Sequence, residues 1–146
     1  MGEIKIFNTK NKPSTTEKNQ IVNFLYSNLE QYGDTKSSIK KAIDYSLGEN
    51  DSKGGSIILL YDSQILKGAV IINHTGMGGY IPENILVYIA THKEYRGEGL
   101  GKKLMEKAIS ETKGDIALHV EANNPAKKLY EKFGFTNPYL EMRLKK

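Results

Sequence analysis

The spacing of hydrophobic positions changes several times along the chain, and each change marks an element. Residues 3–7 alternate around Ile4 and Ile6 and predict an opening strand. Ser14 and Glu17 stand three apart, the signature of a capping box. Behind them Ile21, Phe24, Leu25 and Leu29 fall on one face of a helix, which Tyr32-Gly33-Asp34 interrupts. A second helix turns Ile39, Ala42, Ile43 and Leu47 inward and ends at Gly48. Residues 56–61 and 65–73 read as two strands of a hairpin turning at Asp62-Ser63. The stretch 74–84, with Gly76, Gly78 and Gly79, reads as a flexible loop before a strand at 85–91. A helix then runs from Gly99 to Lys113, burying Leu100, Leu104, Met105, Ala108 and Ile109, with Gly114 as its stop. Residues 116–121 read as a further strand. Asn124 can cap the next helix, with Pro125 expected at its first position and Gly134 at its end. Alternation over 139–144 predicts a final strand.

The order β-α-α-β-β-β-α-β-α-β implies an α/β fold, a mixed sheet with helices on both faces. At 146 residues without repeats or linkers, the expectation is one domain covering 1–146. Hydrophobic residues make up 38% and charged residues 26%, ordinary for a soluble protein. No apolar run is long enough to span a membrane, and the N-terminus lacks a signal-peptide core. The absence of cysteine excludes disulfides, thiolate zinc sites and a cysteine acyl-enzyme, and it fits a cytoplasmic setting.

The net charge of +4 is unevenly placed. Residues 1–91 hold nine Lys/Arg against nine Asp/Glu, whereas residues 92–146 hold twelve against eight. The excess suits an anionic ligand held by the second part of the chain. Nucleic acid is not the expected partner, because acidic residues are interleaved and no recognised binding motif is present.

That second part contains Tyr95-Arg96-Gly97-Glu98-Gly99-Leu100-Gly101-Lys102. A strand precedes the run and an amphipathic helix follows it. Strand, glycine turn and helix N-terminus together bind phosphates, through free amides, the helix dipole and close backbone approach. The dinucleotide fingerprint does not fit, since the third glycine arrives one residue early. A Walker loop does not fit either, because Gly101-Lys102 is followed by Lys103.

Arg96-x-x-Gly99-x-Gly101 resembles the pyrophosphate loop of the GNAT superfamily of N-acetyltransferases. Downstream, the segment from Asn123 through Ala126, Leu129 and Tyr130 to Gly134-Phe135 resembles that family's N-x-x-A-x-x-L-Y-x-x-x-G-F motif. The resemblance is strong over 87–135 and thin before it. It implies acetyl-coenzyme A as cosubstrate, with residues Arg96, Gly97, Glu98, Gly99, Leu100, Gly101 and Lys102 around its pyrophosphate. Ile89, Ala90 and Thr91 would pair with the pantetheine arm, which lies where the strands at 85–91 and 116–121 splay apart. Asn123 would help hold the coenzyme or the strand end. Tyr130 stands where the family's tyrosine protonates the departing thiolate.

The proton acceptor has several candidates. Glu83 precedes the central strand, near where some relatives carry a glutamate acting through water, and His74, His92 and His119 are alternatives. The histidines lack metal-ligand spacing, so no metal is expected. Residues 26–38, with Glu30, Tyr32 and Asp34, and residues 74–84 are where acceptor selection is expected. The acceptor is an amine, either small or a protein N-terminus, and the reading allows a homodimer. A catalytically silent acyl-coenzyme A sensor or interaction module is the alternative function.

Overall fold

The computed structural model describes residues 2–146. Five strands form one sheet in the order β1-β2-β3-β4-β5: β1 Glu3–Phe7, β2 Gly55–Asp62, β3 Ile65–His74, β4 Asn84–Thr91 and β5 Ile116–Ala117. The first four pair antiparallel, and β4 pairs with β5 in parallel. Helices α1 (Thr15–Leu29) and α2 (Lys36–Ser46) connect β1 to β2. Helix α3 (Leu100–Glu111) lies between β4 and β5, and α4 (Lys127–Lys132) follows β5.

The sheet is covered on both faces, which explains the unbroken apolar run Ile57-Ile58-Leu59-Leu60 in β2. Side chains alternate between faces, so Ile57 and Leu59 pack under α1 and α2 while Ile58 and Leu60 pack under α3. The predicted capping box starts α1: Ser14 Oγ accepts from the Glu17 amide at 3.1 Å, and the Ser14 amide donates to Glu17 Oε1 at 2.9 Å.

One irregularity in β4 redirects its side chains. Ile71 opposes Tyr88 and Ile72 opposes Leu86, which leaves Val87 as an extra residue in the ladder. Leu86 therefore packs with α3, while Tyr88 and Ala90 face α1 and α2. Without the bulge, Leu86 and Tyr88 would share a face.

Four expectations are corrected. The strand expected at 116–121 is laddered only at Ile116–Ala117. No strand forms at 139–144; Tyr139, Leu140, Met142 and Leu144 are all exposed. Alternation marks a segment able to pair but supplies no neighbour to pair with. Ile109 is 39% exposed because α3 buries the narrower stripe Leu104, Met105 and Ala108. Pro125 precedes α4 instead of opening it; Asn124 Oδ1 accepts from the Ala126 amide at 2.9 Å, and the helix begins at Lys127.

Candidate active site

The run between β4 and α3 is fastened to the end of α1. Asn28, which is buried, donates through Nδ2 to the Phe24 carbonyl at 2.8 Å and accepts from the Lys93 amide through Oδ1 at 2.8 Å. His92 Nδ1 accepts from the Glu94 amide at 3.1 Å, making the short turn Lys93–Tyr95. Lys67, itself buried, places its ammonium 4.0 Å from the Tyr95 ring centre and 3.2 Å from Asp62. Arg96 then reaches back to Glu30 Oε1 at 2.9 Å and the Asn28 carbonyl at 2.8 Å. Its partner is thus on another element, not the neighbouring Glu94 or Glu98. Sequence reasoning missed Asn28 and Lys67. The only signal available was a polar residue where the apolar pattern predicted burial.

Past Arg96 the backbone turns through Gly97 and Gly99, with φ of 88° and 77°. A Cβ added at either position would meet nothing within 4 Å, so the outer side of the turn is open to a ligand. Gly99 caps α3 without any side-chain hydrogen bond, and the first helical acceptor, the Gly99 carbonyl, is taken by the Lys103 amide at 3.2 Å. The amides of Leu100, Gly101 and Lys102 have no protein acceptor among the described residues. They form a positive cradle at the dipole end of a 12-residue helix. Gly101 serves differently: a Cβ there would stand 3.2 Å from Leu129 and 4.0 Å from Thr91. It lets the first turn of α3 lie against both α4 and the end of β4.

Strands β4 and β5 share only the pairs Asn84 with Ile116 and Ile85 with Ala117. Asn84 locks that end. It is buried, and its Nδ2 donates to the carbonyls of Lys113 at 2.7 Å and Asp115 at 3.2 Å. Its Oδ1 lies 2.6 Å from His74 Nδ1. Beyond Ile85 the β5 side of β4 has no strand partner among the described residues, and Ile89, Ala90 and Thr91 lie along this free edge. The free edge thus runs toward the glycine turn.

Tyr130 is buried in the cluster with Leu86 and Leu104, its ring centre 6.0 Å from that of Phe135. Among the described residues its hydroxyl has no hydrogen-bond partner. Burial first, and the charge of Glu121 second, push its pKa up to about 12. It therefore stays a proton donor well above neutrality. Asn123 is exposed, and its carbonyl accepts from the Tyr32 hydroxyl at 3.3 Å.

Glu83 is placed apart from this group. It lies just ahead of β4, at the locked end, where its Oε1 accepts from the Asp115 amide at 3.0 Å. That amide is the main cause holding its carboxyl below the usual range. His74 is at the same end, and His119 is exposed past β5. Only His92 lies by the glycine turn, where it also lines a cleft of about 450 Å³ with Phe24, Asn28 and Leu66. That cleft contains neither Tyr130 nor Glu83. No group of three or more His, Cys, Asp or Glu among the described residues is placed to hold a metal. No helix among them is long and apolar enough to cross a membrane.

The family model of the acetyltransferase (GNAT) domain matches residues 53–137. The cysteine-rich protein 2-binding protein of Mus musculus is 31% identical over 81 residues, 55% of this chain but 10% of that protein. The matching segment is therefore a small part of the relative's length. Among solved structures, a GNAT family acetyltransferase from Streptococcus pneumoniae TIGR4 superposes with a TM-score of 0.71 at 18% identity, covering 100% of this chain and 98% of that one. The ribosomal-protein-S18-alanine N-acetyltransferase of Escherichia coli superposes with a TM-score of 0.68 at 20% identity, covering 95% and 80%.

Proposed function

This chain belongs to the GNAT acetyltransferase family, and from that premise we propose that it moves the acetyl group of acetyl-coenzyme A to a primary amine. The transfer is a direct attack within a ternary complex. The observation carrying the proposal is the set of free amides at Leu100, Gly101 and Lys102, standing where the unpaired edge of β4 ends.

An anionic pyrophosphate fits this cradle: the amides point outward, Gly97 and Gly99 leave the approach clear, and the helix dipole has the right sign. The residues that would hold the coenzyme are 96–102, with the edge at Ile89, Ala90 and Thr91 taking the pantetheine amides as a further strand would, and Asn123 at the far wall. The coenzyme supplies an activated thioester: the amine nitrogen bonds to its carbonyl carbon, the carbon–sulfur bond breaks, and one net proton is released per turnover from an alkylammonium. Backbone amides of this edge polarise the carbonyl beside the buried cluster that holds Tyr130. Tyr130 gives its proton to the leaving sulfur and is reprotonated by the second of the two protons that the acylated nitrogen loses, the first being the one released to solvent. A buried phenol whose hydroxyl is not spent on the protein is suited to that role, and a purely binding module has no need of it.

Glu83 fastens the locked end of β4 and β5 and does not serve as the proton acceptor. Its carboxylate is engaged by the Asp115 amide and depressed by it, which makes it a weaker base. The reading carries with it a cytoplasmic setting and a reaction without metal.

The experiment is initial-rate kinetics with an amine panel and thiol detection. With no cysteine to carry an acyl group, double-reciprocal plots intersect. Parallel lines, or a protein mass increased by one acetyl group without acceptor, overturn direct transfer. Tight binding of coenzyme A with no turnover on any amine would instead leave a silent acyl-coenzyme A sensor.

A further inference from the structure

The loop between α1 and α2 touches both sides of the divergence. Tyr32 donates through its hydroxyl to the Asn123 carbonyl at 3.3 Å, beyond β5, and Asp34 Oδ2 accepts from the Tyr88 hydroxyl at 2.5 Å, on β4. Residues 32–34 therefore bridge the two walls on the α1/α2 face, opposite the face where Tyr130 packs with α3. Tyr88 points this way only because the Val87 bulge turns it from the face that Leu86 occupies. Its ring is buried, whereas Asp34 is exposed. Asp34 Oδ1 has no protein partner among the described residues. The nearby Glu30, by contrast, is paired with Arg96.

We propose that Asp34, oriented by Tyr88, receives the positively charged acceptor amine through its free oxygen, with Tyr32 as the aromatic wall beside it. The inference rests on the acetyl-transfer reading and names its acceptor class: amines with no carboxylate on the amine-bearing carbon. A free amino acid would set its own carboxylate against Asp34, and like charges at contact distance repel. A peptide amino terminus and an alkyl diamine share the favoured chemistry. Alaninamide represents the first and putrescine the second, with alanine as the disfavoured comparison.

The test uses the full chain, acetyl-coenzyme A and these three amines, with wild type, Asp34→Asn, Asp34→Glu and Tyr88→Phe. Asp34→Asn keeps an oxygen to accept from Tyr88 and removes only the charge. The expected result is wild-type kcat/KM for alaninamide or putrescine at least roughly tenfold above that for alanine. Asp34→Asn should lose roughly tenfold or more, through the KM of the amine, because a charge-assisted contact is lost. Its KM for acetyl-coenzyme A should stay unchanged, and the preference over alanine should shrink. Asp34→Glu should recover part of the loss, and Tyr88→Phe should fall between wild type and Asp34→Asn. Turnover in wild type with an unaltered amine KM in Asp34→Asn overturns this proposal alone. Absence of turnover on every amine overturns it together with the acetyl-transfer reading.

Discussion

Arg96 pairs with Glu30 at 2.9 Å across 66 positions of sequence, joining the glycine turn to the end of the first helix. Both side chains are about half exposed, at 47% and 48%, so the pair itself adds at most about 1 kcal/mol to stability. Its value lies in where it holds the turn. Arg96→Ala should leave the melting temperature within a few degrees of wild type while weakening coenzyme A severalfold, as read by calorimetry. A loss of stability equal to the loss in binding would make Arg96 an ordinary structural residue.

Gly99→Leu should weaken coenzyme A by more than roughly tenfold. The added side chain projects into the open side of the turn, and the left-handed backbone at φ of 77° adds strain of about 1–2 kcal/mol. Gly99→Asn separates the two effects, since asparagine tolerates that conformation but still occupies the cradle. Gly101 is the wrong place for this test because its nearest neighbour is Leu129, so a substitution there disturbs packing first. Full coenzyme affinity in Gly99→Leu would remove the main support for the proposed site.

Tyr130→Phe should lower the single-turnover rate by roughly 10²–10⁴-fold with coenzyme binding nearly unchanged. A stability effect accompanies it. The hydroxyl titrates at about 12 in the folded chain against an ordinary 10.0, so its contribution is complete below pH 10 and is lost as pH rises through 12. Tyr88 is raised in the same direction, by burial first and then by Asp34. Urea denaturation of wild type should thus show falling stability across this window. Tyr130→Phe should flatten part of that decline, and a wild-type single-turnover rate in this variant would reduce Tyr130 to packing.

Glu83→Gln should retain turnover within about threefold, whereas loss of a general base would cost roughly 10²–10⁴-fold. The carboxylate's contribution to folding is present above its ordinary value of 4.5 and is lost as pH falls through its lowered folded value. Acid unfolding of wild type and Glu83→Gln should therefore converge at low pH. A collapse of kcat in Glu83→Gln at neutral pH would restore the catalytic assignment.

Periodicity reveals the covered sheet and its helices because burial writes itself into spacing: Ile57–Leu60 and the stripe Leu104, Met105 and Ala108 are visible in the sequence alone. Glycines and an arginine at fixed offsets revealed the turn. What stayed hidden depends on pairing. The bulge at Val87 is a relation between β3 and β4, so nothing local to Val87 marks it, yet it decides that Tyr88 meets Asp34. Asn84 and Asn28 look like ordinary polar residues until their partners, from Phe24 to Asp115, are brought to them. The alternation at 139–144 misled for the complementary reason, since a strand pattern says nothing about whether an edge awaits it.

The two residue pairs that join β4 to β5 also set how firmly the last third of the chain is held. Beyond α3, that region is laddered to the sheet over two residue pairs and otherwise held by the packing of Tyr130 and its partly buried neighbours, whereas Ile57–Leu60 and Ala69–Ile72 sit in the buried middle. Local opening should follow that gradient, with the backbone at 116–121 exchanging its amide hydrogens with deuterium long before β2 or β3 does. A molecule that bridges the seam lends its binding free energy to the weakest segment, so occupancy is legible as slowed exchange there. On the proposed function, the segment expected to yield first is the one that would meet the coenzyme.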